Sequence, residues 1–118
     1  MPQIFEPGDF LVFQLEAAYG LLRVLAMVND GDIITWHLAA YEDLFLDIDS
    51  AESAIESGRL KINAPHLALT NRAFESTQVA KIAHSELHQD ELRALNEWEN
   101  SPDREVSDRS VRLLLGLR

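Results

Sequence analysis

The sequence predicts an α+β fold: a small antiparallel barrel or strongly curved sheet of about five strands, with helices toward the C-terminus. Three observations carry this. Short apolar runs separated by turn residues fill the first forty positions, from Phe10 to Tyr41. A second set of short alternating runs follows between Arg59 and His84. From His88 onward the apolar spacing changes to the three-residue step of an amphipathic helix.

The opening stretch "PGDFLVFQLEAAYGLLRVLAMV" gives the first hairpin. Gly8-Asp9 starts the ordered chain, and Phe10, Leu11, Val12 and Phe13 are apolar on both faces of an extended segment before Gln14 and Glu16 break one face. Ala17 to Gly20 makes the turn, with Gly20 free to take a positive φ. Leu21 to Val28 is the second strand. Asn29-Asp30-Gly31-Asp32 is a strong turn signal, its Asp30-Gly31 pair suited to a type I′ hairpin, and "IITWHLAAY" from Ile33 to Tyr41 is the third strand. Three sequential antiparallel strands form a meander.

The loop "EDLFLDIDS" carries Leu44, Phe45, Leu46 and Ile48 among acids. Asp49 reads as an N-cap, with Glu52 three residues on completing a capping box, for a short helix from Ser50 that ends at Gly58. "RLKIN" from Arg59 to Asn63 reads as a strand. Pro65 interrupts, so "HLALT" from His66 to Thr70 reads as a separate short strand or edge piece. "STQVAKIAH" gives a further strand. His88 is read as an imperfect N-cap with Glu91 at N3, opening a helix through Leu92, Leu95 and Trp98 that stops at Asn100-Ser101-Pro102. Ser107 is read as the cap of a last short helix through Val111, Leu114 and Leu115. About five strands of this kind most often close into an SH3-like barrel. At 118 residues the whole chain, 1–118, is expected to be a single domain able to build its own core.

Composition limits the function classes. Twenty acidic residues against ten basic ones give a formal net charge of −10. The two lysines and eight arginines are scattered, so the chain lacks the clustered cations that neutralise phosphates, and nucleic acid and anionic membranes are not expected as partners. A field of this sign attracts basic partners. There are no cysteines, which removes disulfides and thiolate metal sites. No apolar run approaches the roughly 18 residues that span a bilayer, and "MPQIFEPGDF" lacks the regions of a signal peptide, so a cytoplasmic protein is the expectation.

Chemistry-bearing groupings are few. His84, Glu86 and His88, with Asp90 near, would share a face on a strand and offer metal ligands, but a helix starting at His88 breaks the alternation. Asp47, Asp49 and Glu52 imitate part of a calcium loop, yet Ala51 and Arg59 stand where oxygen ligands are required. Asp108 and Arg109 within "VSDRS" lie at a helix start that could meet an anion, although Asp108 itself opposes one. No nucleophile elbow or glycine-rich phosphate loop is present. No metal, cofactor or catalytic residue is therefore assigned. Trp36 shares a strand face with Leu38 and Ala40, and His37 shares the other with Ala39 and Tyr41. Core packing is the simplest role for these residues. Trp36, His37, Tyr41, Phe45 and Trp98 are also the candidates for a partner-binding surface, Trp98 being either a plug of the sheet or an interface anchor.

The segments Gly8-Asp9-Phe10-Leu11-Val12 and Tyr19-Gly20-Leu21-Leu22-Arg23-Val24-Leu25 resemble, over residues 7–46, the first hairpin of barrel-type bacterial immunity proteins from polymorphic toxin systems. The resemblance implies a non-catalytic bacterial module that binds and blocks a protein partner, and the acidic charge fits a basic one. A homodimer is compatible with it. The Gly-Asp opening is also similar to that of plasmid-maintenance endoribonuclease toxins of the MazF type, in which Arg23 would match a functional arginine. The short first loop and the acidic chain speak against that alternative.

Overall fold

The computed structural model describes residues Phe5 to Leu117. Five strands form one antiparallel sheet in the order β4-β3-β2-β1-β5: β1 (Asp9–Gln14), β2 (Tyr19–Asp30), β3 (Ile33–Tyr41), β4 (Ile62–Thr70) and β5 (Val79–His84). Among the described residues four helices accompany them: α1 (Ile48–Ser57), α2 (Asn71–Glu75), α3 (Gln89–Glu99) and α4 (Val111–Leu115). The class is α+β as expected, and the meander of β1, β2 and β3 is the predicted one. The sheet is not closed: β4 and β5 are its two edges and do not pair with each other.

The sequence shows why an open sheet is stable. A closed barrel turns one face of each strand outward, but these strands are apolar on both faces. Leu11, Phe13, Leu22, Val24, Trp36, Leu38 and Ala40 point to one side, where they meet Ala73 and Phe74 of α2 and Val111 of α4. Phe10, Val12, Leu21 and Tyr41 point to the other and meet Ala51 of α1, while Leu25 and Ala39 meet Leu95 of α3. Helices on both faces bury what a barrel wall would expose.

Details of the turns differ from expectation for physical reasons. Asp30 pairs with Ile33, so the hairpin loop is Gly31-Asp32, and only Gly31 has a positive φ, of 67°. A type I′ turn needs two such residues, so the loop follows the type II′ pattern. Gly20 is not left-handed; it lies opposite Phe13 in the sheet, and a Cβ there would overlap the Phe13 ring. The two expected pieces around Pro65 are a single strand, β4. Its pairing with β3 shifts between Leu38 and Ala40, and on an edge strand the missing proline N–H breaks no outer ladder.

Two caps are displaced. The N-cap of α1 is Asp47, whose carboxylate accepts from the Ser50 amide at 2.7 Å, not Asp49, which sits in the first turn. Phe45 exchanges both backbone hydrogen bonds with Tyr19 (2.7 and 2.9 Å), so the extended chain is pinned there and the helix begins directly after it. Gly58 closes the helix in the left-handed conformation, as expected. The N-cap of α4 is Ser110, because Ser107 is drawn to the free edge of β4, where its amide donates to Ala68 and its carbonyl accepts from Thr70. The N-cap of α3 is His88, and the Glu91 carboxylate accepts from its amide at 3.0 Å, the return half of a capping box.

One ion pair binds α3 to the sheet. Arg23 on β2 is only 2% exposed; its Nε and Nη2 meet the two oxygens of Glu91 at 2.8 and 3.2 Å. Nη2 also reaches the Glu86 carbonyl at 3.2 Å, Nη1 donates to the Gly8 carbonyl, and the guanidinium lies 4.1 Å from the centre of the Phe10 ring. Burial pushes the Glu91 carboxyl up, but the bonds from Arg23 and the His88 amide outweigh it and hold the group below its ordinary value.

Asp47→Ala should lower stability by about 1 kcal/mol, the usual cost of losing a cap, and Asp49→Ala by less than half of that, read as urea midpoints. Equal shifts would contradict the cap assignment. Arg23→Ala should cost about 3–5 kcal/mol by removing a buried side chain and leaving the half-buried Glu91 carboxylate without its partner, whereas the apolar pair Arg23→Met with Glu91→Leu should recover most of the loss in the same measurement.

Candidate functional site

The edge strand β4 and helix α3 create the most developed surface site. His37 on β3 lies opposite Ala68 on β4, so His66, two residues earlier on the same face, is its diagonal neighbour. Their imidazoles stack with centroids 5.1 Å apart, and His37 Nδ1 and His66 Nε2 share a hydrogen bond of 2.9 Å. Trp98, near the end of α3, packs edge-on to His37 at 4.9 Å and tilted against His66 at 5.4 Å. Its indole N–H donates to the Glu105 carbonyl at 3.1 Å, which ties the segment after α3 back across the ring. The result is an open groove of about 610 Å³ whose lining includes His66, Trp98, Asp103, Glu105, Ser107 and Arg109.

Both histidines are held neutral near pH 7. Burial pushes His37 below its ordinary value, partly offset by the Glu99 carboxylate. Burial, together with the neighbouring His37, pushes His66 down to about 4. One ring therefore donates and the other accepts, and neither brings positive charge to the groove. Its charge at neutral pH comes from Asp103 and Glu105 against Arg109, and Trp98 lines the same groove.

The structure distributes the five sequence candidates unevenly. Trp36 is buried at the opposite face of the sheet, stacked on Phe74 at 4.3 Å with its N–H on Asn71. Tyr41 is buried and stacks on Phe10; burial lifts its phenol to about 12 despite the opposing Arg23 charge. Phe45 is half-buried against the cluster of Phe10, Val12, Leu21 and Tyr41. His37 and Trp98 come together at the groove, whereas Tyr41 and Phe45 share the cluster packed against α1. Trp98 is half-buried: it covers Leu25, Ala39 and Leu95 on one side and lines the groove on the other. His66, Asp103 and Glu105 were not singled out from sequence. The only hint for His66 was its place on the strand face shared with Ala68, and its meeting with His37 depends on a strand register set across an intervening helix.

The remaining sequence groupings resolve differently. His84, Glu86 and His88 do not converge: His84 turns to Asp9, the Glu86 carbonyl serves Arg23, and His88 caps α3. Asp47 caps α1 and Ala51 is fully buried, so the calcium-like acids belong to a helix start. Asp108 accepts from Thr70 Oγ1 at 2.6 Å and pairs with Arg72, and the start of α4 is capped by the Ser110 side chain. Arg23, the residue to which the endoribonuclease resemblance points, is buried in its ion pair.

No protein-family model, no curated protein and no solved structure matches the chain. Among the described residues, no helix is long and apolar enough to cross a membrane.

The histidine pair gives a pH signature. The folded state holds His66 near 4 and the unfolded chain near 6.5, so unfolding takes up protons between these values. Stability should be complete above about pH 6.5 and fall as the pH drops through that window. His66→Gln should flatten the fall, measured as urea midpoints from pH 7 to 4.5; an unchanged slope would show that the pair does not titrate on unfolding.

Proposed function

We propose that this chain is a non-catalytic bacterial binding module that takes a basic protein partner, with the β4 groove as part of the contact surface. The observation that carries the reading is the groove itself: a half-buried tryptophan and two carboxylates line it together, beside histidines held neutral. An aromatic face flanked by acids suits a lysine or arginine side chain, which gains both cation–π and ion-pair contact. The net charge of −10 supports the same partner class by steering a cationic surface toward the chain. The resemblance of residues 7–46 to barrel-type immunity proteins leads to a protein that binds and blocks a toxin in the cytoplasm. The burial of Arg23 favours binding over the endoribonuclease alternative.

The finer SH3-like reading of the sheet rests on the β4–β5 connection. Residues 71–78 carry the chain from one edge strand to the other, and α2 packs on the sheet face on the way. A path of this kind reaches roughly 20 Å, hardly more than the roughly 19 Å across four flat strand spacings. Strong curvature of the sheet relieves that path.

Trp36→Phe leaves Trp98 as the sole tryptophan, so its fluorescence reports on the groove. A lysine- and arginine-rich peptide should change that emission at low salt and progressively less at high salt, while an acidic peptide and generic RNA should not. The combined substitutions Asp103→Asn and Glu105→Gln should weaken the response about tenfold, equivalent to roughly 1.4 kcal/mol. An equal response to acidic and basic peptides, or binding of RNA with a steep salt slope, would refute the proposal.

A further inference from the structure

On the far side of the sheet from the β4 edge, the turn before β1 meets the end of β5. Glu6-Pro7-Gly8-Asp9 is a tight turn closed by the Asp9 amide on the Glu6 carbonyl at 3.1 Å, with Pro7 second and Gly8 third at a φ of 99°. That is the type II pattern, and it folds the Glu6 side chain back toward Asp9. Asp9 begins β1 and lies directly opposite His84 on β5. A Glu6 carboxylate oxygen, an Asp9 carboxylate oxygen and His84 Nδ1 consequently lie within 4.8 Å of one another.

The geometry points to a divalent transition-metal site, best suited to zinc, built from Glu6, Asp9 and His84. One imidazole and two carboxylates are the donors that zinc takes, whereas magnesium and calcium sites are built from oxygen alone. The separations of His84 Nδ1 from Asp9 Oδ1 (2.7 Å) and from Glu6 Oε1 (3.6 Å) bracket the roughly 3.3 Å edge of a tetrahedron with ~2.0–2.1 Å bonds. The fourth position would be open to water, since Glu6 is 66% and His84 40% exposed.

The wall behind the site is fixed before any ion arrives. Asp9 is 1% exposed, and its Oδ2 accepts from the Glu6 amide at 2.9 Å. A Cβ on Gly8 would lie 2.5 Å from the Ser85 carbonyl and 2.9 Å from His84 Cε1, so the glycine peptide packs directly against the imidazole. The Gly8 amide donates to Val24, and its carbonyl accepts from Ser85 and Arg23. Only small changes at the donors are then required. His84 takes the tautomer with its proton on Nε2, freeing Nδ1, and the Lys81 ammonium, 3.2 Å from Asp9 Oδ1, withdraws. Lys81 is 45% exposed on a flexible stem and is the natural competitor for the position.

Zinc chloride titrated into the full chain near neutral pH, followed by calorimetry, tests this directly. One zinc should bind per chain. His84→Gln and Glu6→Gln, both at exposed positions, should each weaken binding at least tenfold, while Lys81→Met should tighten it. His66→Gln and His88→Gln should leave it unchanged, and zinc should shift the His84 ring signals in NMR spectra. No stoichiometric binding, binding indifferent to His84→Gln and Glu6→Gln, or binding lost in His66→Gln would overturn the assignment and leave Glu6, Asp9 and His84 as an ion-pair cluster with Lys81.

Discussion

The buried guanidinium of Arg23 is the interaction on which the rest of the structure depends. It projects from the centre of the sheet and meets the turn before β1 through Gly8, the β5–α3 connection through Glu86, and α3 through Glu91. Phe10 covers its face. A charge removed from water in this way is costly unless every direction is answered, and here each is answered by a different segment of chain. Glu91 does double duty, since the oxygen that receives Arg23 Nη2 also receives the His88 amide that starts the helix. The position of α3 is therefore set by polar geometry as well as by the burial of Leu95. Trp98, two turns further along the same helix, inherits that position.

The histidine–tryptophan groove follows from the same placement. With α3 fixed on one face of β2 and β3, its C-terminal end overhangs β4, and the chain that leaves it returns along the β4 edge through Ser107. This return covers part of an otherwise open strand edge, and Pro65 blunts another part by offering no amide. Between the helix and the returning segment remains a groove floored by His66 and walled by Trp98 and acids. The stacked imidazoles beneath it stay neutral because burial opposes their protonation.

The opposite edge shows different electrostatics. Asp9 is as buried as Arg23, yet its carboxyl is held below the ordinary value: burial pushes it up, and the Glu6 amide, His84 and Lys81 more than reverse this. The two edges of one sheet thus carry a neutral histidine pair on one side and a histidine–carboxylate group on the other.

Local chemistry was legible in the sequence by itself. The meander of β1 to β3 follows from apolar runs broken by turn residues, and the cap of α3 at His88 with Glu91, its stop before Pro102 and the left-handed Gly58 follow from hydrogen bonds made within a few residues. The alternation along β3 correctly divided Trp36, Leu38 and Ala40 from His37, Ala39 and Tyr41. Tertiary structure decided what local chemistry leaves degenerate. Asp47 and Asp49 are equally good caps in isolation, as are Ser107 and Ser110, and contacts of Phe45 with Tyr19 and of Ser107 with β4 chose between them. The same holds for the sites. Arg23 and Glu91 are 68 residues apart, His37 and His66 are 29, and Asp9 and His84 are 75. Such pairs exist only after the strand order and register are set, and a one-residue slip in register would turn either histidine to the opposite face. Apolar strands buried on both sides fit a barrel wall with an outer cover or an open sheet between helices; only the packing of four helices on the two faces selected the open sheet.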